Sequence, residues 1–143
     1  MNGASVLLVD DEEDYLEAMA KRMKMRGLEV CTADNGFSAL ELMRKHAFDV
    51  VLLDILMPDM DGIETLRRIR EDNPDLEVIL VTAHGTVEQG VTAMKMGAVD
   101  VIQKPADIEE LVNLAKEAHE HHLMLIEKKR EETIRNIIIE HGW

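Results

Sequence analysis

Five short apolar runs rich in Val, Ile and Leu recur at residues 5–9, 28–32, 49–53, 76–81 and 99–103, and the stretches between them carry helical patterning. This alternation constrains the fold more than any other feature. Runs such as Val50-Val51-Leu52-Leu53 and Val78-Ile79-Leu80-Val81 are apolar at every position. Such strands are covered on both faces, as in a parallel sheet with helices on either side. A chain of 143 residues can bury one good core and is too short for two ordinary domains. The expected class is therefore α/β, with a five-stranded, doubly wound parallel sheet.

The intervening helices have readable limits. The first is predicted over 13–26, with Leu16, Met19, Ala20 and Met23 on one face and Gly27 as its stop. The second is predicted over 36–46, capped by Asn35 and burying Leu40 and Met43. The third starts at Asp61, with Glu64 completing a capping box and Ile63, Leu66 and Ile69 facing inward. The fourth is predicted over 86–96, with Val87, Val91 and Met94 at helical spacing before Gly97. From Asp107 onward the chain reads as nearly continuous helix, with no Gly or Pro before Gly142. Ile108, Leu111, Ala115, Ala118 and Leu125 follow a heptad that His122, Lys129 and Glu132 interrupt. These interruptions predict a break or bend near 127–133, and the chain is divided into a domain over 1–125 and a helical extension over 126–143.

Charge and cysteine content remove several function classes. Acidic residues number 29 and basic ones 16, a formal charge of −13 that repels a phosphate backbone. Direct nucleic-acid binding is not expected. Cys31 is the single cysteine, so neither a disulfide framework nor a cysteine zinc site can form. No run approaches the roughly 18 apolar residues of a membrane span, and the first residues, Met-Asn-Gly-Ala-Ser, lack the basic start of a signal peptide. A soluble cytoplasmic protein with no membrane partner is expected.

Candidate chemistry gathers where a parallel sheet places it, at the carboxyl ends of the strands. The first strand runs into Asp10-Asp11, the third into Asp54, the fourth into Thr82 and the fifth into Lys104-Pro105. Carboxylates at close quarters repel one another, and an all-oxygen donor set favours a hard cation, so Mg²⁺ is the expected cofactor. One carboxylate can then attack phosphorus to form an acyl phosphate. The metal and the Lys104 ammonium would neutralise the moving phosphoryl group, and Thr82 would donate to the product. Asp59-Met60-Asp61-Gly62 lacks the spacing of an EF-hand calcium loop and reads as a turn and cap. His119, His121 and His122 read as a solvated charged face, and the ten methionines mostly as core filling.

The run Val9-Asp10-Asp11, the segment from Asp54 through Leu56-Met57-Pro58 to Gly62, the Thr82-Ala83-His84-Gly85 stretch, Gly97-Ala98 and Lys104-Pro105 together resemble the receiver domain of two-component response regulators. The resemblance spans about residue 5 to at least residue 123. It implies a flavodoxin-like (βα)5 fold with an extended C-terminal helix. It also implies that Asp54 takes a phosphoryl group from a sensor histidine kinase or phosphotransfer protein. By the same resemblance Asp10, Asp11, Asp54 and the Leu56 main-chain carbonyl form the Mg²⁺ site, Asp10 through a metal-bound water. Thr82 and Lys104 would contact the phosphoryl oxygens, and the Lys104-Pro105 peptide would be cis. Two positions depart from the family pattern: Val101 stands where an aromatic residue is common, and Ala106 where Phe is frequent. With Leu56 and His84 at the positions that govern the lifetime of the acyl phosphate, slow self-dephosphorylation is expected.

The expected output is a conformational shift of the face made by the fourth helix, fifth strand and fifth helix, read by a downstream protein or a homodimer. Two other readings compete. One is a Mg²⁺-dependent phosphatase of haloacid-dehalogenase type, which usually has an Asp where this chain has Leu56. The other is the receiver fragment of a longer transcription regulator.

Overall fold

The computed structural model describes residues 3–54, 62–82, 91–92, 94–98 and 100–141, and the side chains of these except 82 and 141. Five strands form one sheet: β1 (Ser5–Val9), β2 (Glu29–Ala33), β3 (Val50–Leu53), β4 (Glu77–Thr82) and β5 (Asp100–Gln103). They lie in the order β2-β1-β3-β4-β5, and every neighbouring pair is parallel. Each strand begins within one residue of its predicted start, because an unbroken apolar run is legible without knowing its neighbours.

Side-chain alternation divides the interior into two layers. Val6, Leu8, Val50, Leu52, Ile79, Val81 and Ile102 face one side, where Leu16, Met19, Ala20 and Met23 of α1 (Glu13–Met25) cover them. Leu111, Val112, Ala115 and Ala118 of the C-terminal helix complete that layer. Leu7, Val9, Val51, Leu53, Val78 and Leu80 face the other side, under α2 (Gly36–Lys45) and α3 (Gly62–Asp72). On α2 the close contact falls to Ala39, while Leu40 and Met43 are only partly buried.

Local signals act largely as the sequence predicts. Asn35 caps α2 by accepting from the Ser38 amide at 2.8 Å. Gly27 ends the turn after α1 at φ +88°, in the region that favours glycine. Glu64 accepts from Arg67 and Arg68, whereas Asp61, its predicted capping-box partner, lies outside the described residues. Of the predicted fourth helix, residues 91, 92, 94 and 95 are helical, and Val91 and Met94 are about half exposed. Val87 lies outside the described residues.

The C-terminal helix differs from expectation. It runs without interruption over Ile108–His141, 34 residues, so no break divides it at 127–133. The polar positions that suggested a break serve as anchors to the domain. His119 and His122 each direct Nδ1 at Asp49, to Oδ2 and Oδ1 respectively, both at 2.9 Å. Asp49 is 8% exposed and its Oδ2 also accepts the Ser5 amide at 2.8 Å. His121 meets Glu77 at 2.6 Å, and Lys129 reaches Asp75 at 2.6 Å. The histidines are thus not a merely solvated face: they fasten the helix to the amino end of the sheet.

Candidate functional site

The strand order reverses direction between β1 and β3, and a crevice opens there beyond their carboxyl ends. Asp10 follows β1 and Asp54 follows β3, with ladder hydrogen bonds from the Asp10 amide to Ala33 O and from the Asp54 amide to Val9 O fixing both backbones. Asp10 is 2% exposed and Asp54 6%, while Asp11 is exposed. Two buried carboxylates side by side need a compensating charge.

Lys104, carried in just beyond β5, supplies it. Its ammonium donates to Asp10 Oδ2 and lies 4.0 Å from Asp54 Oδ2 and 3.8 Å from Glu12 Oε1. The Lys104-Pro105 peptide is cis, as the resemblance implies. Below the ammonium lies the ring of Tyr15, with its centre 4.2 Å from Nζ. Burial alone would lower the Lys104 pKa, but the hydrogen bond to Asp10 and the charges of Asp10 and Asp54 outweigh it and hold it above the ordinary value. Lys104 is therefore a fixed cation at physiological pH. Tyr15 is pushed upward mainly by its burial, with Lys104 opposing, and stays a neutral phenol.

Asp10, Asp11 and Glu12 each offer a carboxylate oxygen, and these oxygens lie within 4.8 Å of one another. The donor set is all oxygen and suits a hard divalent cation. The second oxygen of Asp10 is oriented by the Glu12 amide at 2.9 Å. Of the residues anticipated from sequence, Asp10, Asp54 and Lys104 are brought together, and Asp11 stands at the rim beside Asp10. Leu56, His84 and the side chain of Thr82 lie outside the described residues, although the Thr82 backbone closes β4 opposite Gln103. Glu12 and Tyr15 were not anticipated as site members. Glu12 is one of five consecutive acidic residues, Asp10 to Asp14, and Tyr15 shows itself only as the chain's sole tyrosine.

The model of the response regulator receiver domain matches residues 6–116. The transcriptional regulatory protein ZraR of Klebsiella oxytoca is 40% identical over 116 residues, 81% of this chain and 26% of that protein. The probable transcriptional regulatory protein TcrX of Mycobacterium tuberculosis is 39% identical over 108 residues, 76% of this chain and 46% of that one. The chain thus spans about a quarter to a half of these relatives. Among solved structures, a receiver domain protein from Clostridium thermocellum superposes with a TM-score of 0.80 at 31% identity, covering 85% of this chain and 98% of its own. NtrX from Brucella abortus superposes equally well, TM-score 0.80 at 33% identity, over 90% of this chain but 29% of that one. With the strand order, the carboxylate pair and its lysine already in place, these matches establish that the chain belongs to the receiver-domain family of two-component response regulators, phosphoacceptor switches in signal transduction.

Proposed function

We propose that Asp54 is the phosphoacceptor. The observation that carries this reading is its position: a carboxylate 6% exposed at the end of β3, with the Lys104 ammonium 4.0 Å away and held by Asp10. An Asp54 oxygen would form a bond to phosphorus while the P–N bond to the histidine of a sensor kinase or phosphotransfer protein breaks. Lys104 then pairs with one of the new phosphoryl oxygens, and the Thr82 hydroxyl donates to another. Mg²⁺, held by Asp10, Asp11, Asp54 and the Leu56 carbonyl, with Glu12 beside them, would neutralise further charge on the phosphoryl oxygens. The chain acts only on its own phosphoryl state and turns over no external substrate.

The output is a population shift of the face formed by the fourth helix, β5 and the C-terminal helix, read by a downstream protein or a second copy. Residues 1–125 form the receiver and 126–143 the helical extension. The lengths of ZraR and TcrX support a place within a longer transcription regulator, whose other parts would meet DNA. The charge of −13 argues against such contact through this chain. Among the described residues no helix is long and apolar enough to cross a membrane, and a cytoplasmic site of action fits the kinase partner.

The test is incubation with a small phosphoryl donor and Mg²⁺, comparing the natural chain with Asp54→Asn. Incorporation into the first and none into the second is expected. Equal labelling of both would remove Asp54 from this role.

A further inference from the structure

Among the described residues, two buried side-chain nitrogens lack a hydrogen-bond partner, and both belong to Arg70 of α3: Nε and Nη2. Buried donors left unpaired are costly, so a rearrangement that supplies an acceptor is favoured. Gly97, at φ +100°, confines the stem of this side chain, for a Cβ there would fall 2.9 Å from Arg70 Cδ. The third nitrogen, Nη1, donates to Pro74 O at 3.0 Å, which sets the guanidinium beside the turn that leads through Asp75 to Glu77. Burial pulls the Arg70 pKa down, and the carboxylates of Asp75 and Glu77 are the anions that oppose it.

Both carboxylates are engaged by the C-terminal helix instead. Lys129 donates to Asp75 at 2.6 Å, and His121 meets Glu77 at 2.6 Å. Asp75 is held below the ordinary aspartate range chiefly by the Lys129 hydrogen bond, with the Arg70 charge a lesser contributor. Yet the Lys129 contact is a weak one. Its side chains are 65% and 55% exposed, and an ion pair so open to water contributes little. It is also the farthest contact along the helix that the described residues make with the domain, every residue from 126 to 140 being exposed. We propose that Arg70 and Lys129 compete for Asp75, so that the outer part of the C-terminal helix is a releasable arm. The arm is docked while Asp75 accepts from Lys129 and is freed when Asp75 accepts from Arg70. Release exchanges a solvent-screened pair for an acceptor at donors that otherwise have none, which keeps the two arrangements close in free energy.

This competition does not depend on the phosphoacceptor reading, so its test uses the unphosphorylated full chain. Hydrogen exchange of amides 126–141 reports release of the arm, with amides 111–118 as the reference for the domain. Lys129→Met should speed exchange of the arm roughly two- to fivefold, the worth of one exposed ion pair. Arg70→Met, similar in length but without donors, should slow it by a like factor, roughly two- to fivefold, because the released arrangement loses its partner for Asp75. In an Asp75→Ala background neither substitution should change the rate, since the contested carboxylate is gone. Circular dichroism verifies that each variant is folded, and Arg70→Gln takes the place of a Met variant that is not. Exchange of the arm that is unchanged or faster in the Arg70 variant overturns the proposal. So does a slowing that persists in the Asp75→Ala background, because loss of an unpaired donor would then stabilise the chain with no contest for Asp75.

Discussion

The Lys104 ammonium lies 4.2 Å above the centre of the Tyr15 ring, which fixes from below a cation that Asp10 holds from the side. The ring takes no part in bond making. It narrows the positions Lys104 can occupy when a phosphoryl group arrives.

Replacing Tyr15 with Leu should therefore slow phosphorylation while leaving the fold in place, and Tyr15→Phe should leave the rate nearly unchanged. A cation–π contact of about 0.5–1 kcal/mol corresponds to roughly a two- to fivefold loss in rate. Initial rates of labelling by a small phosphoryl donor measure this, and a Phe variant as slow as the Leu variant would show that the hydroxyl matters rather than the ring face.

The acidic group of Asp10, Asp11 and Glu12 should make stability depend on Mg²⁺. A ligand at ten times its dissociation constant stabilises the folded state by about 1.4 kcal/mol, or about 4 °C in melting temperature for a domain of this size. Asp11→Ala should abolish most of that increment, because Asp11 is an exposed carboxylate of the group and has no structural burial to lose. Melting curves with and without Mg²⁺ decide it, and an Asp11→Ala protein with the full increment would exclude Asp11 as a ligand.

Asp49 should contribute stability that disappears in acid. Burial raises its pKa, but the Ser5 amide and the His122 and His119 hydrogen bonds together bring it below the ordinary aspartate value. A folded-state pKa below the unfolded one gives stability that is present above the unfolded value of about 3.9 and is lost as pH falls through the folded value. Asp49→Ala leaves the Ser5 amide and two imidazoles without their acceptor and should cost roughly 1–3 kcal/mol at neutral pH. Urea unfolding of both proteins from pH 7 to pH 3 should show the gap narrowing below about pH 4, and a gap of constant size would refute the assignment.

The strands and the charged residues at their carboxyl ends were legible in the sequence for one reason: each strand and the residue that follows it are contiguous. Val50 to Leu53 is apolar throughout, and Asp54 follows it directly. What could not be read depends on distant partners. His119 and Asp49 are 70 positions apart, so nothing local marks either as the other's acceptor or donor. The same ignorance produced the expected break, since His122 and Lys129 look like flaws in an apolar heptad until Asp49 and Asp75 are found beneath them. Tyr15 and Glu12 were hidden differently: their roles follow from how α1 is launched from β1, a matter of chain direction rather than composition.

The unbroken C-terminal helix converts angle into distance. Its inner half is packed in the sheet's own core through Leu111, Ala115 and Ala118, and Lys129 still reaches Asp75, while residues 130–141 extend beyond that last anchor, about 18 Å at 1.5 Å per residue. A tilt of about 10° at the domain carries the far end through about 3 Å. A rearrangement at the sheet too small to expose any new surface would thus be delivered, enlarged, to whatever the helix tip touches.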